Sequence, residues 1–128
     1  MEFVTFEIAK KLKESGFNEP CYMYYHIYDN SEDSIASLEC TGGDSDFVNS
    51  YNTFRCAAPT ISQVLKWLRN EKEIYCLPHL DQSVDMWFGY VTRPKTCCVF
   101  VEYISGSIYN TYEDAALDGI EYVLDNLI

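Results

Sequence analysis

Two spacings of apolar residues alternate along the 128-residue chain, and they restrict its fold more than any other feature. Three segments repeat apolar residues every three to four positions, as a helix with one buried face requires. The first spans residues 6–15, with Val4, Ile8 and Leu12 in step. Thr5 suits its N-cap, with Val4 and Ala9 as the hydrophobic staple. Lys10, Lys11 and Lys13 crowd its end, where cations favour the helix dipole. Gly16 suits a left-handed stop, with Phe17 folded back onto Leu12. The second segment opens at Pro59 and Thr60; Thr60 and Gln63 match a capping box. Its stripe is Ile61, Val64, Leu65 and Leu68, and Trp67 lies to the side, where it covers a sheet edge or meets a partner. The third opens at Thr111. Ala116, Ile120, Val123 and Leu127 centre on one side, and Asp114, Asp118, Glu121 and Asp125 almost opposite.

Between these segments the period drops to two, as in strands. In residues 21–28, Cys21, Met23, Tyr25 and Ile27 alternate with Tyr22, Tyr24, His26 and Tyr28. Residues 73–77 form a short strand stopped by Pro78. Residues 84–91 set Val84, Met86, Phe88 and Tyr90 against Asp85, Trp87 and Gly89. A turn at Arg93, Pro94 and Lys95 then leads to a strand over 97–104. The order is α-β-loop-α-β-β-β-α. It predicts an α+β fold, an antiparallel sheet of about three to five strands with helices mainly on one face. A single domain over 1–128 is expected, with an acidic loop or irregular insertion at about 29–53. Ile35, Leu38, Phe47 and Val48 are placed to tack parts of that stretch down as short strands.

Composition narrows the class. Hydrophobic residues make up 48% of the chain, too many for a wholly disordered protein. No apolar run approaches the roughly 18 residues of a membrane helix, and residues 1–17 lack the apolar core of a signal peptide. Twenty acids against nine bases give a net charge of −11, which disfavours direct nucleic-acid binding. With no export signal and ample apolar residues, the six cysteines read as reduced thiols in a cytoplasmic protein. The one zinc-like grouping is Cys76 and His79 with Cys97 or Cys98. Neighbouring strand residues point to opposite faces, so those last two do not readily share a metal. No metal and no cofactor is expected.

Residues 6–17 (FEIAKKLKESGF), 58–69 (APTISQVLKWLR) and 111–124 (TYEDAALDGIEYVL) together resemble a family of short uncharacterised proteins of gut Bacteroidales and their phages and prophages. The shared blocks are caps, stops and apolar stripes. The resemblance implies a cytosolic protein linked to a phage or mobile element, and it implies nothing about catalysis.

Catalytic groupings are sparse. His26 and His79 are the only histidines, and neither adjoins a Gly-rich nucleophile elbow. Asp81, Asp85 and Glu102 are candidate carboxylates, with solvent-facing strand acids as the ordinary alternative. Thr41, Gly42, Gly43 and Asp44 lack the Lys-Ser/Thr of a phosphate loop. The chain therefore reads as a non-enzyme. Two binding surfaces stand out. The tyrosine face of Tyr22, Tyr24, His26 and Tyr28, extended by Trp67 and Trp87, suits an interface or a ligand platform. The acids Asp114, Asp118, Glu121 and Asp125 suit docking on a basic host or phage protein. The first expectation is a small acidic binding or regulatory protein of phage or mobile-element origin that acts by protein–protein contact. The alternative is a binder or sponge for a nucleotide-like ligand on the aromatic face, with Arg55, Lys66, Arg69, Arg93 and Lys95 as possible cations.

Overall fold

The computed structural model describes residues 2–28, 36–42, 46–50, 54–95 and 98–128. Asp29, Glu32, Asp33, Ile35, Asp44 and Cys97 lie outside the described residues. The chain is an α+β protein, and it splits into two compact units, 3–60 and 61–128, the latter with Glu2.

The first unit carries α1 (Phe6–Glu14), β1 (Met23–Ile27), β2 (Ala36–Cys40) and β3 (Arg55–Ala57). The Thr5 hydroxyl caps α1 by accepting from the Ile8 N–H, and Val4 and Ala9 are both buried. At the other end Gly16 takes φ +90°, and the Phe17 N–H reaches back to the Leu12 carbonyl at 2.9 Å. That is a Schellman stop, and it buries Phe17 beside Leu12 in the core. The strands form one antiparallel sheet in the order β2-β1-β3. β1 and β3 flank the region 29–53 expected to be a loop, and β2 lies inside it, so that Leu38 does lie in a strand. Phe47 forms an antiparallel bridge with Cys21.

One face of this sheet is closed by α1. Tyr25 and Cys56 are paired across β1 and β3 and so share that face. The Tyr25 ring meets Phe6 at 5.5 Å, and its hydroxyl donates to the Val4 carbonyl at 2.7 Å. Burial, then the neighbouring Cys56, pushes the Tyr25 hydroxyl pKa up. Burial raises the Cys56 thiol to about 11, against the opposing pull of Lys13 and Lys10.

The second unit carries α2 (Ile61–Lys72), β4 (Tyr75–Cys76), β5 (His79–Asp81), β6 (Met86–Phe88), β7 (Tyr90–Lys95), β8 (Cys98–Ile104) and α3 (Tyr112–Asn126). A three-stranded antiparallel sheet runs β4-β7-β8, and β5 and β6 make a separate hairpin. The expected α2 stripe is buried, as are Ala116, Ile120 and Val123 of α3. The Thr111 hydroxyl caps α3 by accepting from the Asp114 N–H at 3.1 Å.

Two local expectations are corrected. Arg93, Pro94 and Lys95 continue β7 and pair with Phe100, Val99 and Cys98. Proline lacks only a donor, so it sits in a strand where no ladder bond needs its nitrogen. The stretch 84–91 is not one strand. Val84 and Asp85 lie in the turn joining β5 to β6, with Asp85 at φ +54°, a conformation Asp tolerates better than most residues. Gly89 then separates β6 from β7. A β-carbon there would lie 3.0 Å from the Ala115 carbonyl oxygen and 3.3 Å from Asp118.

Candidate functional site

The face of β2-β1-β3 opposite α1 gathers most of the expected aromatic residues. On β1, Tyr24 and His26 pair with Glu39 and Ser37 of β2, and with Ala57 and Arg55 of β3. Paired residues share a face, so these side chains meet. The Arg55 guanidinium lies 5.2 Å from the Tyr24 ring centre. Phe47 packs beside the same ring at 5.2 Å. His26 meets Tyr28 edge-on at 4.6 Å. The Tyr28 hydroxyl donates to Glu39 at 3.4 Å and accepts from Ser37 at 3.3 Å. Tyr22 and Tyr28 are each 61% exposed, so the ends of this surface are open while Tyr24 and His26 are half-buried.

The two tryptophans belong to the other unit. Trp67 is buried, with the Lys72 ammonium 5.5 Å from its ring. The α2 stripe is wider than its four aliphatic residues and takes the indole in. Trp87 meets Tyr112 edge-on at 5.4 Å, and its backbone bridges Tyr109. Neither lies on the β2-β1-β3 sheet.

The acidic row on α3 is also divided. Asp114, Glu121 and Asp125 are exposed, whereas Asp118 is half-buried. Asp118 accepts from the Tyr103 hydroxyl at 3.2 Å and from Tyr109. Tyr103 stacks on Tyr122 with ring centres 4.1 Å apart. Burial, then the Asp118 charge, pushes the Tyr103 pKa up to about 12. Helical periodicity places Asp118 with the other acids but does not show that two tyrosines from outside α3 reach it. This tyrosine–carboxylate cluster is the part of the molecule that sequence reading missed. Two tyrosines that precede an apparently exposed acid by nine and fifteen residues are too weak a signal to find it.

The chemistry available at the remaining groups is modest. Burial, with the Asp118 charge adding to it, lifts the Cys76 thiol to about 12. A thiol held protonated is a poor nucleophile and a poor metal ligand. His79 packs at a tilt against Tyr90 at 4.2 Å and stacks on Phe88 at 5.6 Å. Asp81 accepts from the Ser83 hydroxyl and N–H, and these bonds lower its pKa. Glu102 is tied to Arg93 at 2.8 Å. A notch of about 270 Å³ lined by Lys72, Glu73, Arg93 and Pro94 lies next to that ion pair, and its one arginine is already engaged. Among the described residues, no three His, Cys, Asp or Glu groups stand close enough to hold a metal. No helix among them is long and apolar enough to cross a membrane.

No known protein family, curated protein or solved structure matches this chain.

Proposed function

We propose that this chain is a small acidic binding or regulatory protein that acts in the cytoplasm by protein–protein contact, without catalysis. The contact surface is the face of Tyr22, Tyr24, His26, Tyr28 and Arg55, and the partner is a basic host or phage protein. One observation carries this reading: tyrosines and an arginine stand together on a sheet face whose two ends are exposed. Tyrosine and arginine are the side chains most enriched where proteins bind proteins. The choice of a basic partner follows from charge. Residues 29–53 join and flank these strands, and they carry six acids and no base. The resemblance to short proteins of gut Bacteroidales and their phages supports a mobile-element origin.

The small-ligand reading is weaker on this geometry. Arg55 and Phe47 already cover parts of the Tyr24 ring, so a planar ligand would have to displace both. The test is capture from host lysate by the wild-type chain and by a Tyr24→Ala/Tyr28→Ala variant, read by native mass spectrometry across a salt series. A basic protein bound at low salt, lost at high salt and lost in the variant is the expected result. Identical captures by both chains would overturn the assignment of the surface.

A further inference from the structure

An edge strand turns the backbone groups of alternate residues away from its neighbour. Just beyond β2, the Thr41 N–H donates to the Tyr22 carbonyl at 3.0 Å. Counting back by twos puts Glu39 and Ser37 in the same inward set. Ala36, Leu38 and Cys40 therefore direct their amides and carbonyls away from β1. Among the described residues, no hydrogen bond reaches these outward groups.

The outer strands of the two three-stranded sheets, other than β2, are guarded. On β3, the Ala57 N–H donates to Asn49 Oδ1 at 2.8 Å, and Lys13 Nζ donates to the Arg55 carbonyl at 2.9 Å. β8 shifts register at Glu102, between the pairs Val91–Tyr103 and Thr92–Val101, and the Tyr122 hydroxyl donates to the Glu102 carbonyl at 3.3 Å. β4 is only two residues long. Short strands, bulges and side-chain cover are the usual protections of an edge. β2 has five residues in unbroken register, with no proline and no lysine, and Leu38 and Cys40 are exposed.

We propose that β2 receives an extended, Lys- or Arg-bearing segment of a partner protein, which adds to the sheet as a fourth strand. The inference rests on the protein-contact reading above and names the docking mode. Strand addition draws affinity from main-chain hydrogen bonds and specificity from alternate side chains. Charge selects the occupant. Glu39 lies in β2 and Asp46 follows it, in a chain of net charge −11. A second copy of the chain brings another −11 charges to the same edge, so self-pairing is disfavoured.

The experiment uses the full chain and a peptide of about eight residues alternating Arg and Val, followed by amide hydrogen exchange and titration. Two further copies are N-methylated on alternate residues, one in each register. The parent peptide should slow exchange at the Leu38 and Cys40 amides. One methylated register should bind about tenfold more weakly and the other nearly as well as the parent. Leu38→Pro removes an outward donor at an edge, where proline is tolerated, and should weaken binding by a similar factor with the circular dichroism spectrum unchanged. Equal binding by both methylated registers, no protection at Leu38, or a dimer formed through β2 in the free protein would each overturn the proposal. If those results came with loss of lysate capture in Tyr24→Ala/Tyr28→Ala, the aromatic-face reading would stand and strand addition alone would fall.

Discussion

Tyr28, one residue past β1, and Tyr103, within β8, are the same residue type in an acidic chain, yet they are held differently. Tyr28 is 61% exposed, and its hydroxyl makes two long hydrogen bonds, 3.3 and 3.4 Å, to residues of the neighbouring strand. Tyr103 lies flat on Tyr122 of α3, with 9° between the rings, and donates to Asp118 of the same helix. The difference is a second layer. On the α1 side of β2-β1-β3 a helix closes the sheet, and on the far side the partners of Tyr28 among the described residues are its own sheet neighbours His26, Ser37 and Glu39. In 61–128, α3 supplies both the ring and the carboxylate that fix Tyr103. A helix packed over a sheet thus turns a surface tyrosine into a fixed one.

The sharpest way to break this contrast is alkaline pH. Cys76 rises from 9.0 to about 12, and Tyr103 from 10.0 to about 12. In each case the unfolded chain loses its proton first. The stabilisation is therefore complete below pH 9 and is lost as pH climbs through that window toward 12. The urea midpoint should fall steeply over this range and less steeply in Tyr103→Phe. Equal slopes would mean that the Tyr103 hydroxyl is not held as described.

Packing comes next. A β-carbon on Gly119 would lie 2.5 Å from the Cys76 sulfur. Alanine at a helical position gains about 1 kcal/mol of propensity over glycine, but this clash occurs in a buried site. Gly119→Ala should lose about 1–3 kcal/mol of stability in thermal unfolding, and adding Cys76→Ala should restore most of it. A stable single mutant would show that α3 does not pack as closely on Cys76 as described.

A matched pair of substitutions measures the contrast directly. Asp118→Ala leaves two tyrosine hydroxyls short of their acceptor and should cost about 1–2 kcal/mol. Tyr28→Phe deletes only long, solvent-facing bonds and should stay within about 0.5 kcal/mol. Similar costs for the two in urea unfolding would erase the distinction between a tied tyrosine and an open one.

Much of the local structure was legible along the chain because it depends on neighbours within a few residues. The caps at Thr5 and Thr111, the stop at Gly16 and the stripes of α1, α2 and α3 follow from spacing and residue type. Tyr22, Tyr24, His26 and Tyr28 share a face by simple alternation. Charge and composition likewise come from the residues alone. Tertiary contacts decided the rest. They took Trp67 into the buried stripe, turned Asp118 inward onto Tyr103 and Tyr109, and carried β7 through Pro94. They also closed the β3 edge of β2-β1-β3 with Asn49 and Lys13, whereas among the described residues no hydrogen bond reaches the outward groups of β2. Helix and strand patterns record which side of a segment is apolar. Whether a polar side chain on the other side meets water or a distant hydroxyl depends on residues far away in sequence, and no local period encodes that.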